Sequence, residues 1–331
     1  MARPSEEEVM DWKGKHVLVT GGAGFIGSHV ADMALARGAR VTVYDDFSTG
    51  FREFVPAGDR VKTVEADLLD GKRVEEAMRG VDFVFHMAAN ADIRENFKEP
   101  RKCVDQNVVV TQNVLEAMRA SGTKEIAFAS TGSVYGEATI IPTPEDSPFP
   151  VQTSIYATSK VAAEGLLTSY AQAKPAPEIR AWIFRFVSLL GPRYTHGHVV
   201  DFYRKLKADP TRLPVLGNGL QKKSYLHVAD CVSAMFVAVE KAREPINVFN
   251  LGHTDWIEVR DSIAIITKTM GLTPAIEYAG GERGWPGDSP KILLDTARIR
   301  GLGWAPTKNI AESVVETLKF LAENPYTEKR A

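Results

Sequence analysis

A short β-branched run at 15–20 (KHVLVT) opens directly into Gly21-Gly22-Ala23-Gly24-Phe25-Ile26-Gly27 and then into a helix-like stretch ending near Arg37. That junction constrains the fold more than any other feature of the chain. A glycine at 21 permits a tight turn, one at 24 lets backbone approach a pyrophosphate, and one at 27 lets helix and strand pack closely. The helix start at Phe25 and Ile26 then offers unpaired N–H groups and the positive end of a dipole to phosphate. Glycine-rich turns also simply join strands to helices, so a second mark is needed. Asp45 supplies it, 18 residues beyond Gly27 at the end of the next strand-like run. A carboxylate there accepts both hydroxyls of an adenosine ribose and repels a 2′-phosphate, which selects NAD over NADP. Asp46 is either a solvated loop residue or a second ribose contact. Ser48, Thr49 and Gly50 follow as a small loop beneath the adenosine phosphate.

The pattern begun at residue 15 continues. Further apolar runs at 40–44, 60–65, 81–86, 125–129 and 180–186 read as strands, with helical patterns between them, notably at 105–120 and 155–173. Such alternation predicts parallel βαβ units with right-handed crossovers, and near-continuous apolar strands predict a sheet covered on both faces. The expected fold is α/β, a doubly wound parallel sheet with a smaller mixed α/β substrate domain. The cofactor domain is expected over 14–186, rejoined by about 224–252. The smaller one is expected over 187–223 and 253–323, where Gly and Pro become frequent. Trp256, Trp285 and Trp304 read as packing residues of that smaller domain.

Composition narrows the class. Forty basic against 42 acidic side chains give a net charge of -2, and 44% of the residues are hydrophobic. That excludes a mainly disordered chain and argues against a general binder of nucleic acid or anionic membrane. Residues 1–12 hold no apolar secretory core and no apolar run reaches 18 residues, so neither export nor a membrane span is expected. Cys103 and Cys231 are read as two reduced core thiols of a cytoplasmic protein, with a stapling disulfide as the other possibility. His196 and His198 lack a third neighbouring ligand, so no metal is expected.

Tyr156 and Lys160, in YATSK, stand one helical turn apart on one face. An ammonium there favours the phenolate and is expected to lower the tyrosine pKa toward neutral, fitting the phenol to take a hydroxyl proton as hydride leaves carbon. Taken alone the pair usually marks an exposed helix surface. Together with a dinucleotide turn and Asp45 it reads as catalytic.

TGGAGFIGS, DDFSTG, STGSVYGE and YATSK, in this order, resemble the extended short-chain dehydrogenase/reductases, and more narrowly the nucleotide-sugar 4-epimerases typified by UDP-glucose 4-epimerase. The resemblance runs from about residue 15 to LGW at 302–304 and includes HMAANAD, DQNVVVTQNVLEA, GPRYTHG, KKSYLHVADC and RGWPGD. It implies that Tyr156 is the base, that Lys160 tunes it and holds the nicotinamide ribose, and that Thr131 bonds the sugar 4-hydroxyl. Asp67 and Leu68 would contact adenine, while Met87, Ala88, Ala89 and Asn107 would line the pyrophosphate and ribose path. Thr131 and Ser133 have a plainer reading as strand-end hydroxyls capping backbone. The resemblance also implies a UDP-sugar substrate, and a homodimer joined through the helices at 105–120 and 155–173.

Related dehydratases carry an acidic pair after the threonine, and related decarboxylases a glutamate near it. Here the segment is Thr131-Gly132-Ser133-Val134, so epimerisation at C4 through a transient 4-keto sugar is expected. Lys223 and Arg283 are the candidate diphosphate cations, with Asp288 on the nucleotide ribose or ordering its loop. Trp285 stands where an arginine is usual. Ser188 replaces the common asparagine, which could open space for a charged C5 substituent and favour UDP-glucuronate over UDP-glucose. Arg193 and Thr195 would then face substrate, although Arg193 could equally be an ordinary loop arginine. Arg94 is read as a pyrophosphate or sugar contact, or as a surface ion pair. A nucleotide-sugar dehydrogenase or 4-keto reductase, and a non-enzymatic NAD-binding regulator, are the competing readings. An intact Thr131, Tyr156 and Lys160 weigh against the regulator.

Overall fold

The computed structural model describes residues 10–91, 97–149, 151–173, 179–284, 289 and 291–325. Strands β1 (His16–Thr20), β2 (Arg40–Asp45), β3 (Val61–Glu65), β4 (Phe83–His86), β5 (Glu125–Ala129) and β6 (Arg180–Phe186) alternate with helices α1 (Phe25–Ala36), α2 (Gly71–Met78), α3 (Pro100–Val104), α4 (Val110–Ser121) and α5 (Ile155–Gln172). Then follow β7 (Ser188–Leu190), α6 (His198–Ala208), β8 (Arg212–Val215), β9 (Lys222–Lys223), β10 (Tyr225–His227), α7 (Val228–Lys241) and β11 (Ile246–Leu251). The chain continues through β12 (Ile257–Glu258), α8 (Val259–Met270), β13 (Ala275–Tyr278), β14 (Lys291–Ile292), α9 (Ala297–Gly301) and α10 (Ile310–Glu323).

Among the described residues the main sheet has seven strands, all parallel, in the order β11-β6-β5-β4-β1-β2-β3. Side chains alternate between its faces with period two, and each face has its own core. Val17 and Val19, Phe83 and Phe85, and Trp182 and Phe184 point into one core with α1 and α7. Leu18, Val84, Ile126, Phe128 and Ile183 point into the other with α2, α4 and α5. Apolar residues therefore run unbroken at 17–19, 83–85, 126–129 and 181–184 within β1, β4, β5 and β6. At the edge, β3 departs from this pattern: Lys62, Thr63 and Glu65 are exposed.

Chain order reverses between β1 and β4, so the loops beyond these strands diverge and leave a crevice at their carboxyl ends. Smaller sheets, β10-β7, β12-β9-β14 and β13-β8, gather beyond that edge. A third core, including Tyr203, Ile266, Val314 and Leu318, joins α6, α8 and α10 there.

Two features differ from the sequence expectation. The helix expected at 105–120 is interrupted: Asp105–Val109 form a π turn between α3 and α4, with Asn107 buried in it. Trp304 packs in the main core and donates through Nε1 to the Asp230 carbonyl at 3.2 Å, rather than serving the smaller domain. Strand β11 lies within the stretch 224–252 expected to rejoin the cofactor domain, and it pairs with β6 at the end of the main sheet. Both cysteines are free and buried. Among the described residues, no helix is long and apolar enough to cross a membrane.

Phe85 is fully buried, with ring centroids of Phe83, Phe236 and Trp12 at 4.8, 5.1 and 5.9 Å. Phe85→Ala is expected to cost about 3–5 kcal/mol of stability by urea unfolding. A loss below about 1 kcal/mol would contradict this packing.

Candidate active site

Gly21 ends β1 with φ +65°, and its N–H donates to the Tyr44 carbonyl at 2.8 Å. A Cβ at 21 would stand 2.7 Å from the Ala88 nitrogen, and one at 27 would stand 2.1 Å from the Gly21 carbonyl oxygen. Only hydrogen fits at either place, because both neighbours are backbone. Gly24 caps α1 and has no side chain to bond the first N–H groups of the helix at Phe25 and Ile26. Met87 and Ala88 close the other side, their N–H groups bonded to the Thr20 carbonyl at 3.1 Å and to its hydroxyl at 3.3 Å; Ala89 follows, half-buried.

At the end of β2 the buried Asp45 carboxylate accepts the N–H of Ala23 at 2.9 Å and of Phe47 at 2.8 Å. It is thereby fixed beside the glycine turn. A Cβ on Gly50 would come within 2.7 Å of its Oδ1. Asp46 turns the other way, accepting from the Ser48 N–H and hydroxyl at 2.9 and 2.7 Å; Asp46, Ser48 and Thr49 are exposed. Of its two readings, the loop residue fits. Asp67 is exposed and accepts the Leu69 N–H at 2.8 Å, while Leu68 is buried in the core beneath. Asn107 does not present its amide to the crevice. It accepts from the Asn90 N–H at 2.8 Å and donates to Ser159 Oγ at 2.9 Å, so it clamps the loop after β4 onto α5. A cradle that tolerates no Cβ, an uncapped helix start and a buried carboxylate at the neighbouring strand end together fit a dinucleotide such as NAD.

The reacting groups converge beyond β5. Thr131 caps the turn at Gly132–Tyr135, its Oγ1 accepting the Ser133 N–H at 3.1 Å and donating to Ser133 Oγ at 3.2 Å. The same hydroxyl shares a side-chain hydrogen bond with Tyr156. Ser154 caps α5 by accepting the Ala157 N–H at 3.1 Å, which places Tyr156 in the first turn. One turn on, Lys160 is 2% exposed; its Nζ donates to the Ala129 carbonyl at 2.8 Å, 4.7 Å from the Phe128 ring centroid and 6.0 Å from that of Tyr156.

Electrostatics here run against the sequence expectation. Burial pushes the Tyr156 phenol up to about 12, against the Thr131 hydrogen bond that lowers it, and burial pulls Lys160 down to about 7. In the protein alone the lysine does not bring the phenol toward neutrality. Desolvation disfavours charge on both groups, and a lysine near 7 is an ammonium for only part of the time. His86, fully buried between Thr20 at 2.7 Å and Thr111 at 3.1 Å, is held neutral by burial at about 3.

The substrate candidates divide. Lys223 bonds the Ser289 carbonyl, Ser289 Oγ donates to the Gly136 carbonyl at 3.3 Å, and Arg283 pairs with Glu137 at 2.7 Å. Arg283 thus reaches the loop that follows Thr131 and Ser133, and Lys223 is linked to it through Ser289. Ser188 is exposed at the start of β7 and Thr195 is half-buried. Arg193 goes elsewhere. At φ +66° its guanidinium pairs with Asp32 of α1 at 2.7 Å and lies over the Phe54 ring, which fits the loop-arginine reading and not a sugar contact. Arg94, Trp285 and Asp288 lie outside the described residues. His198 stacks on Tyr225 and bonds Ser262 at 2.9 Å, a packing role, and no group of three metal-ligating side chains occurs among the described residues.

One cluster was missed in the sequence. Glu164, two turns after Tyr156, accepts from Ser130 and from Arg185 of β6 at 2.7 Å; Arg185 also donates to the Tyr135 hydroxyl and the Glu145 carbonyl, each at 2.9 Å. Extending the Tyr156–Lys160 spacing by one more turn would have found the carboxylate, but nothing local points to its arginine.

Known proteins agree with this geometry. The model of the NAD dependent epimerase/dehydratase family matches residues 17–252. The UDP-glucose 4-epimerase of Corynebacterium glutamicum is 30% identical over 314 residues, covering 91% of this chain and 93% of that protein. A crystal structure of UDP-galactose 4-epimerase superposes with a TM-score of 0.84 at 37% identity, covering 93% of this chain and 99% of that one. The Thermus thermophilus UDP-glucose 4-epimerase in complex with NAD gives 0.83 at 32% identity, over 93% and 99%. With its glycine cradle, Asp45 and the Tyr156–Lys160 pair, this chain belongs to the NAD-dependent epimerase/dehydratase family of extended short-chain dehydrogenase/reductases, an enzyme whose cofactor is NAD.

Proposed function

We propose that the enzyme inverts C4 of a neutral UDP-hexose, of the UDP-glucose and UDP-galactose kind. The observation that carries this reading is the pairing of Tyr156 with Thr131 beside buried Lys160, in a pocket whose neighbouring carboxylates are already engaged. Elimination or decarboxylation chemistry would need an acid or base at the sugar. Glu164 is held by Arg185 and Ser130, Glu145 accepts the Asn250 N–H at 2.9 Å, and Glu137 pairs with Arg283. The groups brought together among the described residues, a phenol, an amine and two hydroxyls, suffice with NAD to oxidise C4 and reduce it again.

Bound NAD+ supplies the hydride acceptor and, as a cation beside a buried phenol, the charge that favours its phenolate. Gly21, Gly24, Gly27 and the α1 N-terminus would hold its pyrophosphate, and Asp45 its adenosine ribose. Tyr156 Oη takes the C4 hydroxyl proton and later returns it to that same oxygen, after the 4-keto sugar has turned its other face toward the hydride donor. Thr131 and Ser133 orient that oxygen. Inversion requires the 4-keto sugar to turn while its nucleotide stays anchored, and Lys223 and Arg283 are the cations suited to hold a diphosphate.

A neutral hexose is favoured over a hexuronate because Arg193, the arginine expected to meet a C5 carboxylate, is paired with Asp32. A second copy of the chain is expected on α4 and α5, with Val104 and Val109 exposed on the preceding turns.

Tyr156→Phe is expected to keep NAD while losing turnover by about 10²–10⁴-fold, read by chromatographic separation of UDP-glucose and UDP-galactose; near-normal turnover would remove the tyrosine from the chemistry. Wild-type enzyme given UDP-glucose should form the C4 epimer with no net NADH at 340 nm, while a specificity constant for UDP-glucuronate equal to or above that for UDP-glucose would overturn the neutral-sugar assignment. Light scattering at micromolar concentration should give the mass of two chains, and a monomer would exclude the pairing.

A further inference from the structure

Tyr156, Lys160 and Glu164 follow one another at helical-turn intervals on a single face of α5, and all three are buried, at 8%, 2% and 4% exposure. Each is tied to a different one of three consecutive residues leaving β5. Tyr156 bonds Thr131, Lys160 bonds the Ala129 carbonyl, and Glu164 accepts from the Ser130 hydroxyl. Arg185 of β6 grips the far side of the Glu164 carboxylate with Nε and Nη2, at 3.0 and 2.7 Å, and reaches on to Tyr135 and Glu145. A buried carboxylate carries a large desolvation cost and persists only where its partners are fixed.

We propose that Glu164 is a positioning residue for the base: gripped by Ser130 and Arg185, its carboxylate sets the register of α5 against the end of β5 and so sets where Tyr156 and Lys160 stand relative to Thr131. The inference rests on the catalytic reading of Tyr156. Its charge has a second effect. The groups that face Lys160 are Cys103 from α3, His86 from β4, and Tyr156 and Glu164 from its own helix, with Arg185 of β6 behind Glu164. Burial holds the thiol, the imidazole and the phenol uncharged near neutral pH. Glu164 is then the acid that offsets the Arg185 cation and supports an ammonium on Lys160.

Two substitutions separate register from charge in the NAD-loaded enzyme. Ser130→Ala leaves the ion pair in place and cuts the tie to β5. It is expected to lower kcat at least tenfold with KM for UDP-glucose within twofold and an unmoved pH profile. Glu164→Gln keeps an acceptor for Ser130 but leaves Arg185 uncompensated. Lys160 should then lose its proton at lower pH, moving the alkaline limb of kcat down by a pH unit or more, while Glu164→Asp should keep the limb at the wild-type position. A Ser130→Ala kcat within twofold of wild type overturns the register argument even if Glu164→Gln does not fold; a Glu164→Gln limb that stays in place overturns the charge argument. Should wild-type enzyme invert no UDP-hexose, the functional reading falls. The inference is then decided by 13C NMR titration of ε-labelled lysine, with Lys160 assigned from its loss in Lys160→Met. A lower titration midpoint in Glu164→Gln supports it, and an unchanged midpoint overturns it.

Discussion

A parallel sheet covered on both faces has no wet surface along its strands, so polar chemistry collects where the strands end. In this chain β5 passes from Ile126, Ala127, Phe128 and Ala129, all buried in apolar cores, straight into Ser130 and Thr131. The first polar side chains after the strand meet α5, whose inward face carries a phenol, an amine and a carboxylate. Every polar atom brought into that interface must find a partner there or lose the hydration it had in water. The site follows from this: Thr131 serves both as a cap and as the tyrosine's partner, and the Lys160 ammonium donates to a carbonyl at the strand end.

The same dryness decides the electrostatics. Spacing on a helix suggests that a lysine one turn from a tyrosine makes it acidic, and in water-exposed surroundings the sign would hold. Buried, each group resists charge more than its neighbour promotes it, and the pair rests as a phenol beside an amine that titrates near neutrality. On the proposed catalytic reading of Tyr156, activation then waits on a charge brought from outside the chain, which would couple the base to occupancy of the dinucleotide cradle rather than to pH alone.

What could be read from the sequence was local. Gly21, Gly24 and Gly27, Asp45, and the Tyr156–Lys160 spacing each express a geometry within one strand, turn or helix, and the fold places them at one sheet edge. The parallel, doubly wound sheet followed from alternation for the same reason. For Arg193 the sequence leaves a substrate contact and an ordinary loop arginine both open; its partner, Asp32, is 161 residues away and on another element. The Arg185–Glu164 pair joins β6 to α5, and no spacing rule connects them. The π turn at 105–109 arises where Asn107 is recruited by Asn90 and Ser159, a demand set by two other segments. Departures from local reading therefore sit where elements distant in sequence compete for one side chain.

The pairing of β11 with β6 bears on how the polypeptide is made. A nascent chain emerging only as far as Phe186 presents β6 as a bare margin, with Trp182 and Phe184 facing a core to which α7 has not yet been added. Unpaired strand margins bearing large apolar side chains are templates for adhesion between chains. Protection arrives only once Leu251 has left the ribosome, so the dinucleotide half is not a module that recombination could lift out at its visible seam. Any exchange that preserves folding has to cross over beyond β11, carrying β7, α6 and the strands between along with it.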